Sequence, residues 1–118
     1  MAGNFNVQVE LKVPEPNVFQ VVIFPERLYL DGRAGSTITW TPVNGTLFLS
    51  TDDIDFMDAA GKFTKTFNTN GTITATVNGT DPVEKIYVYF VTLRREGSEF
   101  AIKVDPEVDN PPPPPDGT

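Results

Sequence analysis

Five apolar residues, Phe5, Val7, Val9, Leu11 and Val13, stand at every second position of the opening stretch, with Asn6, Gln8, Glu10 and Lys12 between them. Successive side chains of a strand point to opposite faces, so this spacing buries one face and wets the other, and no helix accommodates it. Pro14-Glu15-Pro16-Asn17 ends the run, because each proline fixes φ and removes a ladder donor. The same grammar continues along the chain. Val18 to Phe24 is apolar on both parities except at Gln20, the composition of a strand covered on both faces, and Pro25-Glu26 closes it. Short strands follow over Arg27 to Leu30, Ser36 to Trp40 and Thr46 to Ser50, separated by Asp31-Gly32 and Asn44-Gly45 turns.

Asn70-Gly71 and Asn78-Gly79 bracket Thr72 to Val77, where Ile73, Ala75 and Val77 alternate with threonines suited to a pleated surface. Val83 to Leu93 is apolar on both parities from Ile86 to Val91 and reads as a central strand. Phe100, Ile102 and Val104 give a last alternating strand before Asp105-Pro106. Eight or nine short strands with turn signals about every ten residues predict an all-β fold, a Greek-key antiparallel β-sandwich of immunoglobulin-like or cupredoxin-like kind. The stretch Thr51 to Asn68 reads as a long crossover with a helical turn over Phe56 to Ala60, capped by an aspartate. A single domain is expected over residues 1–108. Residues 109–118, with five consecutive prolines, are expected as a disordered polyproline tail whose acidic flanks, Asp109 and Asp116, suit an SH3-type groove poorly.

Composition closes many functions. The 118 residues include no cysteine and no histidine, so disulfides, thiolate zinc sites, thiol nucleophiles, imidazole metal ligation and a Ser-His-Asp triad are excluded. Sixteen acids against nine bases give a formal charge of −7, which argues against nucleic acid and anionic membranes as partners, since both are bound through Lys and Arg. No window approaches the roughly 20 apolar residues of a membrane helix. The Met1-Ala2-Gly3-Asn4 start lacks a basic and greasy leader, so a cytoplasmic protein is expected unless a leader has been trimmed.

The stretch Ile23-Phe24-Pro25 through Leu30 and Gly35-Ser36-Thr37-Ile38-Thr39-Trp40 resembles the first half of cupredoxin-like domains, a strand, a Gly-led turn and a strand ending in Trp. Ile86 to Val91, a turn, and Phe100 to Glu107 resemble the closing hairpin of small bacterial cupredoxin-like or immunoglobulin-like proteins. Asp105-Pro106-Glu107, with Pro14-Glu15-Pro16, resembles the uncharacterised bacterial DP-EP family. The resemblance covers about residues 5–109. It implies a fold but no copper site, because the chain offers only Met1 and Met57 where a cupredoxin needs two His, a Cys and an axial Met. No cofactor is expected.

Two groups of residues remain as candidates. Asp52, Asp53, Asp55 and Asp58 could supply hard oxygen ligands to calcium, or line a carbohydrate site beside an aromatic, although EF-hand spacing is missing; the plain alternative is a solvated, turn-capping loop. Asn44-Gly45-Thr46, Asn70-Gly71-Thr72 and Asn78-Gly79-Thr80 match glycosylation sequons, but equally match turns followed by a threonine that starts a strand. Among the aromatics, Trp40 reads as the filler between two sheets. Tyr87 and Tyr89 share the parity opposite Ile86, Val88 and Phe90; both sets cannot face one core, so the tyrosine face is either covered within the chain, the plainer reading, or is the candidate interaction surface. The expected function is therefore non-enzymatic: a protein-interaction or structural module, able to form homo-oligomers through an exposed strand, with Phe5 to Val13 as the expected sheet edge.

Overall fold

The computed structural model describes residues 2–98 and 101–114. Eleven strands lie among them: β1 (Asn4–Glu15), β2 (Val18–Phe24), β3 (Arg27–Tyr29), β4 (Thr37–Pro42), β5 (Thr46–Leu47), β6 (Ile54–Phe56), β7 (Phe63–Phe67), β8 (Ile73–Val77), β9 (Lys85–Arg95), β10 (Ala101–Val104) and β11 (Glu107–Asn110). They form two sheets packed as a sandwich. The first runs β2-β1-β4-β8-β7. In the second, β9 pairs with β10, β11, β5 and β6, and β11 also pairs with β3. β10 and β11 follow one another along β9 in unbroken register, from Ala101 opposite Arg94 to Asn110 opposite Lys85. At the Asp105-Pro106 interruption the Tyr89 N–H still donates to the Pro106 carbonyl, at 3.1 Å.

One parity from each main strand meets in the middle. Val7, Val9 and Leu11 of β1, Ile38 and Trp40 of β4, and Ile73, Ala75 and Val77 of β8 face Tyr87, Tyr89, Val91 and Leu93 of β9. All are buried, and each fully buried aliphatic side chain contributes roughly 1.5–3 kcal/mol. Trp40 fills the space between the sheets as expected. Its Nε1–H donates to the Tyr89 hydroxyl at 3.0 Å, and its ring meets those of Tyr89 and Phe56 edge-on.

Several expectations are corrected. The sheets are mixed rather than wholly antiparallel, because β1 pairs with β4, and β3 with β11, in parallel. β1 is not an edge: it lies between β2 and β4, so its regular alternation is that of an interior strand wet on one face. The edge is β2, the stretch whose composition predicted cover on both sides. Pro16-Asn17 makes a two-residue turn between the two strands, with Asn17 at φ 66°. The crossover carries its helical turn earlier than expected, as a single 3-10 turn over Thr51–Asp53 capped by Ser50. Phe56 instead belongs to β6, and Phe63–Phe67 forms β7. Asn44-Gly45 carries the chain from one sheet to the other rather than closing a hairpin, with both residues at positive φ. Asn70-Gly71 does close one, between β7 and β8.

The domain does not end at residue 108. Asp109 and Asn110 continue β11 and are buried, with β9 and β3 on either side of the strand. Beyond it the chain stays docked at Gly32, where an added Cβ would lie 2.7 Å from the Pro111 carbonyl oxygen and 2.5 Å from that of Pro112. The rest of the expected tail, residues 115–118, lies outside the described residues, as do Glu99 and Phe100 of the last predicted strand.

Candidate interaction surface

Tyr87 and Tyr89 do not form a surface. They are 3% and 0% exposed and point between the sheets, because β9 turns its tyrosine parity toward Trp40 and Phe63. The opposite parity faces outward, with Ile86 exposed and Val88 and Phe90 half-buried. Sequence alternation separated these two sets correctly but could not say which of two apolar sets faces the partner sheet. Both tyrosine hydroxyls are occupied. Burial raises Tyr89 to about 12, offset in part by the hydrogen bond from Trp40. Tyr87 is pushed up by burial and by donating to a carboxylate, Asp81.

That carboxylate organises a polar knot at one end of the sandwich. Asp81 Oδ2 accepts from the Tyr87 hydroxyl at 2.8 Å and from Asn110 Nδ2 at 2.9 Å, while Lys62 Nζ lies 3.2 Å from Oδ1. Burial raises the carboxyl, but the bonds from Asn110, Tyr87 and Lys62 outweigh it and hold the group below its ordinary value. The knot ties the β8–β9 connection to β11, and the Lys85 ammonium lies 5.0 Å from the Tyr87 ring centre. Every polar atom named in it serves another member. Sequence reading missed it because Lys62, Asp81 and Asn110 lie far apart in the chain and carry no motif.

The acidic loop is dispersed. Asp53 is buried and takes the Arg94 guanidinium at 2.6 Å on Oδ1 and the Leu49 N–H at 2.7 Å on Oδ2. Asp52, Asp55 and Asp58 are exposed, on the 3-10 turn, on β6 and at a left-handed turn residue. Among the described residues no three acidic groups come together to hold a metal ion. Phe56, the aromatic beside this loop, is stacked on Phe63 at 3.8 Å between ring centres. The loop works as a brace, with Lys65 Nζ donating to the carbonyls of Thr51 and Ile54.

The outer face of the first sheet is hydroxyl-rich where β4, β8 and β7 form it, with Glu10 and Lys12 of β1 on the same face beside β2. Asn4, Thr37, Thr76 and Thr64 lie in one rank across β1, β4, β8 and β7, and Asn6, Thr39, Thr74 and Thr66 in the next. Thr37 donates to Asn4 Oδ1 at 2.6 Å, and the Thr39 and Thr74 hydroxyls lie 3.2 Å apart. The threonine ranks give no hydrophobic drive for association, whereas Val22 and Phe24, opposite Glu10 and Gln8, put apolar side chains at the β2 end of the same face.

Exposed large apolar side chains occur at several places, among them Tyr29, Leu49, Val83 and Ile86, and the β1–β2 hairpin carries a run of them along one strand pair. Val13, Val18, Phe19 and Phe24 are all exposed, Phe24 at 71%. Between β2 and the Asp105-Pro106 interruption runs a groove of about 430 Å³, lined by Val21, Val22, Ile23, Val104 and Pro106 together with Glu26 and Asp105. A second hollow of about 370 Å³ flanks the other end of β2, between Val13, Phe19 and the Arg95–Ser98 turn. Among the described residues β2 pairs only with β1, so its other edge faces away from the sheet. No sequence signal marked this surface as an edge. The apolar run identified a strand, but its neighbours are set by the whole topology.

No family model matches the chain, and a search of curated proteins finds no match. No helix among the described residues is long and apolar enough to cross a membrane.

Proposed function

We propose that this protein is a non-catalytic protein-interaction module whose working surface is the open edge of β2 and the groove beside it. The observation that carries the reading is an edge strand with the composition of a central one. Its seven residues, Val18–Phe24, hold no charge and no proline, and three of its large apolar side chains are exposed. Edge strands in soluble proteins are commonly guarded by Lys, Pro or a bulge, because unpaired N–H and C=O groups recruit other chains. Here the register irregularity, between Lys12 and Glu15 of β1, falls opposite Phe19 and leaves Gln20–Phe24 in regular register. Strand addition supplies affinity through backbone hydrogen bonds and specificity through alternate side chains, and the apolar groove provides for the second. The resemblance to the DP-EP family supports a small bacterial β-sandwich and adds no chemistry.

The test is hydrogen exchange of the isolated protein with and without a lysine-flanked synthetic peptide carrying the Val18–Phe24 sequence. Protection of the β2 amides, with little change in β4 and β8, is the expected result. Exchange across β2 that is fast in the free protein and stays fast at saturating peptide would sink the reading of this edge as a peptide-pairing surface.

A further inference from the structure

We infer that the partner at this edge is a second copy of the same chain, joined β2 to β2 in antiparallel fashion about a two-fold axis. The inference rests on the reading of β2 as the binding edge and goes beyond it by naming the occupant.

Charge is the first argument. Two copies of a chain with net charge −7 repel wherever acidic surfaces meet, so a self-interface must lie on a neutral stretch. Val18–Phe24 is such a stretch, and unlike the neutral threonine ranks it carries exposed apolar side chains. The basic segments of an unrelated partner would instead be drawn to clustered carboxylates. The groove offers only two carboxylates, Glu26 and Asp105, among a lining that is otherwise apolar.

Symmetry is the second. An isologous contact places each residue of β2 opposite another residue of β2, and antiparallel pairing of one strand with its copy satisfies this automatically. The apolar ends suit it: with the axis near Val21, Val18 of one copy faces Phe24 of the other, covering two of the exposed side chains at each end. The two five-stranded sheets then become one sheet of ten strands. The third argument is composition. Val18–Phe24 is apolar on both parities, although among the described residues β1 is the one strand paired with it. A second copy supplies the other neighbour and, through its hairpin, cover for Phe24.

The test uses the whole chain. Light scattering and native mass spectrometry across micromolar concentrations should give a dimer, and Val18→Lys combined with Gln20→Lys should give a monomer with unchanged circular dichroism and an unfolding midpoint within a few degrees. Because the chain has no cysteine, single variants Gln20→Cys, Val21→Cys and Val22→Cys offer a second readout. One of them, at the residue nearest the axis, should form a covalent dimer under mild oxidation far faster than Asp55→Cys on the opposite side of the fold. A monomer at every concentration overturns the inference, and so does a dimer that survives both lysines. A monomer whose β2 is nonetheless protected by the synthetic peptide overturns self-pairing while leaving β2 as a binding edge.

Discussion

Replacing Asp81 with alanine should cost this domain about 3 kcal/mol of stability, and the cost should fade in acid. The structure sets the size. Asp81 is the acceptor for the Tyr87 hydroxyl and for Asn110 Nδ2, whose residues are 3% and 1% exposed, and it neutralises Lys62. Removing it leaves two buried donors with no partner at roughly 1–3 kcal/mol each, reduced where local rearrangement admits water. The lysine can turn toward solvent and adds little. For a chain of this length a loss of about 3 kcal/mol lowers the melting temperature by roughly 10 °C. The pH dependence follows from the depressed Asp81 carboxyl. A carboxyl held below its ordinary value of 3.8 stabilises the fold fully above that value and loses the contribution as pH falls through the folded-state value. Urea unfolding of wild type and Asp81→Ala should therefore differ by the full amount at pH 7, and the difference should shrink progressively as pH falls below 3.8, as expected for an acid whose partners favour its charged form. Asp55→Ala, on an exposed position of β6, is the control. A difference under about 0.5 kcal/mol at pH 7, the range of ordinary surface substitutions, would refute the claim that Asp81 holds β11 in place. A pH-independent difference would refute the assignment of the effect to its charge.

Three further outcomes are expected. Tyr89→Phe removes the acceptor of the fully buried Trp40 N–H and should destabilise by about 1–3 kcal/mol in urea unfolding, with a shifted tryptophan emission in the folded state. Gly32→Ala and Gly61→Ala impose similar backbone strain, at φ 77° and 74°, but only at Gly32 would the new methyl strike the Pro111 and Pro112 carbonyls. Gly32→Ala should therefore be clearly the more damaging, with Gly61→Ala costing about 1–2 kcal/mol; equal losses would show that the proline segment is not docked. Of the three tyrosines, Tyr87 and Tyr89 should ionise only above the ordinary value of 10, so an ultraviolet titration should show their absorbance rising late or together with alkaline unfolding.

Much of this architecture is legible in the chain because period-two alternation is a local property. Val7, Val9 and Leu11, or Ile73, Ala75 and Val77, declare a strand and its buried face without reference to anything distant. What local pattern leaves open is pairing. Nothing near Asn4 to Gln8 says that its neighbour is Thr37 to Thr41 in parallel, and nothing near Glu107 to Asn110 says that a four-residue strand will slot between β3 and β9. The acidic loop misled for a related reason. Four aspartates within seven residues suggest a common ligand, yet the 3-10 turn and the strand after it send Asp53 inward to Arg94 and leave the others apart. The Asp81 knot was invisible because its partners meet only after both sheets have closed.

The same logic gives meaning to the largest discrepancy, at Val18 to Phe24. A strand apolar on both parities is the composition selected where neighbours and cover lie on both sides, whereas a strand selected for an exposed edge acquires lysine, proline or a bulge. Sequence leaves the Tyr87 and Tyr89 face open between cover within the chain and an interaction surface, and the fold resolves it as cover, since the second sheet needs one of two apolar parities and takes the tyrosines. Among the described residues no strand pairs with the other edge of β2. Its open edge and exposed phenylalanines sit where its composition requires a neighbour, and disagreement between local composition and global position is the pattern expected at a functional site. A second chain removes the disagreement without changing a single residue.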